Sequence, residues 1–509
     1  MPEVLNKESS LATRAFWLMF AKTLGFAFTF ALPPLLVRHL TQSEYGLFKQ
    51  VFLVVGTAVA MLPLGFGMSA YYFLPREGEH ERKQVVFNVL LISTFVGGLA
   101  CLVLILRPSL LGNLFSDATL IQYGPLIGVV ILFWVISSFL ETVAVANQET
   151  RLSTVFIISA QLTKTLFMIG ALLIFGTLRA LIYASLVQGV LQTILLLLYL
   201  QSRFPHFWRS FDRSMLRTQL AYAMPLGFAG LLFTFQTDLH NYFISHRFSS
   251  AEFAIYAVGC LELPLLGLLR ESINSVMIPR VSLLQKENQS REIVFLTARV
   301  MRKLAFFFFP VYVLLMIVGR EFISFLFTSN YLASWPIFAI NLTLVPFSIL
   351  VLDPVLRAFA EHRYYLLKLR IGMFFFLIAG LWFGSIRFGM IGAVGTIVLI
   401  GVLERIALLI KFGRVLNVSR RDLILLKDVG KLALASSVAG LAAFVVRALL
   451  IGMKPFVILA VCGTAFALVY FVAILALRIV TGEELDLVRG QVARLQRRVY
   501  WKRAADTLT

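Results

Sequence analysis

Fourteen runs of about twenty apolar residues fill this chain of 509 residues from end to end. They lie near 14–37, 47–74, 85–106, 122–145, 153–175, 180–200, 217–244, 252–276, 294–318, 334–356, 365–385, 389–411, 430–450 and 455–479. In lipid a backbone must satisfy its own polar groups, so runs of this length span as α-helices. Composition agrees: 59% of residues are hydrophobic, 14% are charged and the mean hydropathy is +0.87. Soluble domains are about 45–50% apolar and about 25% charged. The expected fold class is therefore an all-α polytopic membrane protein with about 14 transmembrane helices, short connections and no soluble domain. The run Ala15–Val37 is too long for the core of a cleavable signal peptide and is expected to stay as span 1.

A formal charge of +20 invites a nucleic-acid reading, but its distribution opposes one. With alternating spans, 34 of the 46 Lys and Arg fall on the side of the N-terminus, 8 on the other side and four within spans. That bias places both termini in the cytoplasm and makes anionic membrane lipid a partner. Nucleic acid would need a basic soluble face, which this chain lacks. Leu485, Val488, Val492, Leu495 and Val499 recur at helical spacing in a basic C-tail, which reads as an amphipathic helix on the inner leaflet. Cys101, Cys260 and Cys462 sit singly in apolar runs and read as packing residues, with no disulfide or metal framework.

The chain also repeats itself. RHLTQSEYGLF from Arg38 lies over HRFSSAEFAIY from His246 at an offset of 208. Pro75-Arg76 matches Pro279-Arg280 at 204, ANQETR from Ala146 matches AFAEHR from Ala358 at 212, and GTLR from Gly176 matches GSIR from Gly384 at 208. A unit of six spans is even, so both halves enter the membrane the same way round. Such parallel repeats occur in transporters, with substrate bound between the halves. The expected organisation is an N-terminal six-helix bundle over 1–213, a C-terminal six-helix bundle over 214–428, two further spans over 429–480 and the basic tail over 481–509.

Spans arranged as six plus six plus two, LTQSEYGLF after span 1, LGFGMSA in span 2 and TDLHNYFISHRFSSAEFAIYAV across spans 7 and 8 resemble the Wzx-like polysaccharide flippases of O-antigen and exopolysaccharide synthesis. These belong to the multidrug/oligosaccharidyl-lipid/polysaccharide superfamily. The resemblance implies a V-shaped central cavity lined mainly by spans 1, 2, 7 and 8. It also implies a polyprenyl-pyrophosphate-linked oligosaccharide as cargo, moved from the inner to the outer leaflet of the cytoplasmic membrane. Other polysaccharide assembly proteins become candidate partners.

Against that frame, FTFQTDLHNYF (from Phe233) stands out, since a carboxylate at the centre of a bilayer helix costs about 2.5–3.5 kcal/mol on insertion scales. The most costly in-span charges are Lys22, Lys49, Asp238, Glu262, Arg270 and Glu271, all on the four spans that the resemblance makes cavity-lining. Lys22, Lys49 and Arg270 are candidates to hold the pyrophosphate, with Gln236 and Asn241 as hydrogen-bonding neighbours. Lys22 and Thr29, seven apart, share a helix face. Asp238, Glu262, Glu271 and His240 are candidates for ion coupling through H⁺ or Na⁺, or for counter-charge. The bland alternatives are an Arg270 ion pair with Glu271, Glu262 or Asp238, and a snorkelling Lys49. Lys164, with Gln161 and Thr165 in span 5, is either a wall residue or a buried pair with Glu141 of span 4, and the structural reading is favoured. Phe306 to Phe309 are expected to face lipid, and Tyr331 and Trp335 to form an interfacial belt.

Rival functions are a lipid II flippase or a drug/cation exporter of the same superfamily, and a membrane glycan polymerase or ligase. An enzyme would need a base or metal beside its substrate. Eight Asp, no D-x-D and no HExxH argue against that. No P-loop is present, so no nucleotide or other cofactor is expected beyond a coupling Na⁺ or H⁺.

Overall fold

A computed structural model describes residues 17, 20, 23–25, 27–28, 30–359 and 363–479, without the side chains at 226, 229, 265, 271, 275, 358, 363 and 420. Lys22, Thr29 and the basic tail lie outside the described residues. The helices used below are α1 (Gln42–Met61), α2 (Glu79–Leu106), α3 (Gly124–Ser137), α4 (Phe139–Ala146), α5 (Thr150–Phe175) and α6 (Leu178–Arg203). There follow α7 (Arg213–Arg247), α8 (Ser250–Gly259), α9 (Pro264–Lys286), α10 (Ser290–Phe327), α11 (Trp335–Leu342), α12 (Arg363–Val415), α13 (Lys427–Leu449) and α14 (Pro455–Ala476). The described secondary structure is entirely helical. Nine of its helices are long and apolar enough to cross a membrane, or ten counting α7, whose halves Arg213–Pro225 and Gly230–Arg247 meet at 47°. Pro225 accounts for that bend.

Several expected spans are not single rods. At about 1.5 Å per residue, α12 would be about 80 Å long, more than twice a hydrocarbon core of about 30 Å. It breaks at Gly389, whose φ of +61° suits glycine alone, and so supplies two spans. The run at 252–276 is also broken: α8 ends at Gly259 and α9 starts at Pro264, which occupies the first helical position. Glu262 sits in the non-helical link between them. The run at 47–74 breaks after α1, where Leu64 and Gly65 both have positive φ.

The described residues form two compact units. The first holds residues to Leu268 with Leu326–Asn341 and Lys368–Ile400; the second holds Leu269–Phe325, Leu342–Leu367 and residues from Gly401. In the first unit one core gathers Phe66, Phe73, Val89, Phe139, Val143 and Tyr199, and another gathers Ile244, Phe253, Tyr256, Leu381 and Val394. Large apolar side chains such as Leu106, Ile174, Phe175, Phe383 and Leu441 remain exposed, as a lipid-facing surface requires.

Within the first unit, equivalent positions of the repeat meet. α1 and α8 open with the same capping box, Thr41 with Glu44 and Ser249 with Glu252. The two helices pack closely enough that Ser43 Oγ and Ser250 Oγ are 2.9 Å apart. Arg38 Nη1 donates to the Leu326 carbonyl at 2.8 Å, and His246 Nδ1 lies 3.0 Å from the Leu114 carbonyl. His246 follows Arg38 by 208 residues and Leu326 follows Leu114 by 212, matching the sequence offsets.

Two aromatic expectations change. Tyr331 is buried, edge-on to Tyr45 at 5.9 Å, and takes no part in an interfacial belt. Its ring closes the end of the α1 packing instead. Of the four consecutive phenylalanines, Phe306 and Phe307 are exposed while Phe308 is fully buried, as a helix with 3.6 residues per turn dictates.

In the second unit, Glu321 Oε1 accepts from Nε (3.0 Å) and Nη2 (2.9 Å) of Arg447, tying α10 to α13. Both side chains are largely withdrawn, at 15% and 31% exposure. Arg447→Leu leaves a carboxylate with no partner and is expected to destabilise by about 2 kcal/mol. Thermal unfolding of the purified variant measures it, and an unchanged midpoint would mean the pair contributes nothing.

Candidate functional site

The polar run on α7 finds its partners on α1 and α8. Asp238 Oδ2 accepts from Thr57 Oγ1 of α1 at 3.2 Å. Four residues on, one helical turn, Tyr242 OH donates to the Leu53 carbonyl at 3.4 Å. His240 Nδ1 and Tyr256 OH of α8 share a hydrogen bond of 2.9 Å. Gln236 and Asn241 are half-buried on the same helix. Lys49 is half-buried on α1 with Nζ 5.6 Å from the Tyr45 ring centroid, a cation–π contact.

No described ion pair within 4.0 Å includes Lys49, Lys164, Asp238, Glu262 or Arg270. Glu262 lies in the first unit and Arg270 in the second, and both are exposed. Glu262 lies in the link between α8 and α9, while Arg270 is on α9. Glu271 is on α9, with its side chain outside the described residues. Lys164 and Glu141 line one cavity without forming the expected pair; Lys164 Nζ instead stands 4.6 Å from the Trp134 ring centroid.

In the second unit Arg270 lies within electrostatic reach of Arg405 on α12. Arg405 is held by its own turn, donating to the Gly401 carbonyl at 3.0 Å, and by Ser348 Oγ at 3.3 Å. No described ion pair includes Arg405 either. Glu404 also lies within electrostatic reach of Arg405. Guanidiniums in reach of each other repel, and an anion with several oxygen acceptors suits them. Among the described residues no three His, Cys, Asp or Glu side chains group to hold a metal ion.

A family model described as "Polysaccharide biosynthesis protein" matches residues 35–336. The chain belongs to that family. By sequence, no curated protein matches it. Solved structures similar to this polysaccharide biosynthesis protein include the lipid II flippase MurJ in an inward closed conformation. The TM-score is 0.72, with 15% identity over 91% of this chain and 98% of that one. An inward-facing multidrug resistance MATE family transporter of the MOP superfamily is similar at a TM-score of 0.61, 14% identity, 77% of this chain and 94% of that one. The Vibrio cholerae MATE transporter VcmN is similar at 0.57 and 15%, over 81% and 99%. At these identities the likeness is one of fold, and it makes this family member an all-α multi-pass membrane protein with a transporter fold.

Sequence reasoning missed Thr57, Tyr256 and Arg405 as site neighbours. Thr57 and Tyr256 look like ordinary span residues, and only packing shows their role. Arg405 sat within an apolar run beside Glu404, a signal that was available.

Proposed function

We propose that this polysaccharide biosynthesis protein is a flippase. It carries a polyprenyl-pyrophosphate-linked oligosaccharide from the inner to the outer leaflet of the cytoplasmic membrane for cell-surface polysaccharide synthesis. Transport proceeds by alternating access, coupled to an ion gradient or the membrane potential, with both termini in the cytoplasm and no covalent chemistry on the cargo. Family membership and the transporter fold support transport. The observation that carries the anionic cargo is that Lys49 of the first unit and Arg270 and Arg405 of the second are in no described ion pair within 4.0 Å, although Glu404 lies within electrostatic reach of Arg405. A pyrophosphate offers each of them oxygen acceptors, and an exporter of cations would find them repulsive. Lys22 would add a fourth cation. Gln236 and Asn241 supply hydrogen bonds to the head group. Asp238, Glu262, Glu271 and His240 form the acidic and titratable set for H⁺ or Na⁺. Anionic lipid and other assembly proteins are the expected partners.

The test is rescue of surface glycan in bacterial strains that each lack their own O-antigen flippase. Wild type is expected to restore export in at least one strain. Arg270→Ala with Arg405→Ala is expected to reach the membrane at wild-type level and to reduce surface glycan at least tenfold, about 1.4 kcal/mol of lost interaction. A chain that rescues no glycan strain but sustains cells depleted of their lipid II flippase would overturn the proposed cargo.

A further inference from the structure

Inside the first unit lies a cavity of about 210 Å³ among α1, α3, α4, α5 and α6. Its lining carries several polar side chains, although apolar spans build it. Trp134 comes from α3, Glu141 from α4, Gln161 and Lys164 from α5, and Gln188 and Gln192 from α6. Lys164, Gln188 and Gln192 lie near the middle of their helices, so the cavity sits at mid-depth, where an ammonium is costly. Lys164 has no described ion pair, only the Trp134 ring at 4.6 Å. The indole is itself fixed, since Trp134 Nε1 donates to the Ser185 carbonyl at 3.0 Å. Gln188 and Gln192 are 7% and 4% exposed, and Gln192 Nε2 has no hydrogen-bond partner among the described residues. A buried donor left unsatisfied is destabilising, and such groups are rare in native proteins.

Each feature narrows what would fill the space. The cavity is far larger than a monatomic ion needs. The carboxamides both donate and accept, as do the vicinal hydroxyls of a sugar ring. An inorganic anion such as phosphate would bring mainly acceptors, leaving Glu141 and the carboxamide oxygens without donors. The uncompensated Lys164 calls for one negative group on the ligand, and Glu141 calls for hydroxyl donors elsewhere on it.

We propose that the cavity of Trp134, Glu141, Gln161, Lys164, Gln188 and Gln192 is a binding subsite for a single monosaccharide unit bearing an anionic group. None of its lining residues belongs to α7. The proposal rests on the saccharide cargo of the proposed function and gives that cargo an acidic sugar. Lys164 binds the anionic substituent, and Gln192 Nε2 and Glu141 engage the hydroxyls.

The test is a tryptophan-fluorescence titration of the purified full chain with glucuronate, galacturonate, glucose and inorganic phosphate. At least one hexuronate is expected to give a saturable change that Trp134→Phe abolishes. Glucose, lacking the carboxylate, is expected to bind at least tenfold more weakly. Lys164→Gln should weaken the hexuronate at least tenfold, and Lys164→Arg should recover part of that loss in an equally folded protein. The proposal is overturned if neither hexuronate gives a saturable change in wild type. It is also overturned if phosphate matches the hexuronate, or if the response survives Trp134→Phe. Binding and export fail separately. A chain that rescues glycan export yet ignores hexuronates keeps the flippase and loses the subsite; one that binds hexuronates and rescues nothing does the reverse.

Discussion

Gly46→Val is expected to abolish recovery of monodisperse protein, and Gly46→Ala to lower its melting temperature sharply. On helix propensity alone, Gly→Ala in a helix interior should stabilise by about 0.5–1 kcal/mol. Packing reverses the sign here. A Cβ at Gly46 would overlap the carbonyl oxygen and carbon of Ser250, which are backbone atoms at the capped start of α8 and cannot rotate away. Relief requires α1 and α8 to separate. That would break the Ser43–Ser250 hydrogen bond and loosen Tyr45 and Tyr256, both fully buried. Overpacking a core costs about 1–3 kcal/mol, and more where backbone must move, so the clash outweighs the gain in propensity. Gly56, on the same helix, has nothing within 4 Å of its would-be Cβ. Gly56→Ala is therefore the control, expected to be neutral or slightly stabilising. Recovery of Gly46→Val, and melting curves of wild type, Gly46→Ala and Gly56→Ala in one detergent, decide the matter. If Gly46→Ala melts with wild type, the α1–α8 contact is not the tight crossing described.

How much of this was legible beforehand depends on whether the signal is local. The spans were, because twenty apolar residues need no tertiary information. So were the two capping boxes, since Thr41 with Glu44 and Ser249 with Glu252 signal within four residues and at a constant offset. The helix breaks were harder. Pro264 marked a weak point, but the chain leaves the helix before it, at Cys260, and this removes Glu262 from any helical face. Tyr331 was misread because an aromatic beside a Trp in a short connection looks interfacial, and only tertiary packing sets it against Tyr45. Lys164 was read as a wall residue or a partner of Glu141 because a buried ammonium calls for a carboxylate on a neighbouring span. That its neighbour is Trp134, thirty residues earlier, depends on how α3 and α5 cross. Gln188 and Gln192 were the missed signal: two amides one turn apart in an otherwise apolar span.

Asp238→Asn is expected to leave folding intact and to stop transport. The carboxylate accepts a hydrogen bond from Thr57, and an Asn side-chain oxygen can accept the same bond at the same place. Loss of stability should stay within about 1 kcal/mol, the ordinary worth of one hydrogen bond. No described cation lies within 4.0 Å of Asp238, so no ion pair breaks when its charge is removed. Were the residue merely structural, Asn would serve better, because it removes a charge that costs about 2.5–3.5 kcal/mol at mid-span. Retaining Asp is then explained by a step that needs a titratable or cation-binding oxygen. Surface glycan is expected to fall at least tenfold, with membrane level and melting temperature near wild type. Thr57→Val removes the hydrogen-bond donor but keeps the charge, and should fall between the two. Full export by Asp238→Asn would show that the carboxylate is dispensable, and coupling would have to be sought at Glu262, Glu271 or His240.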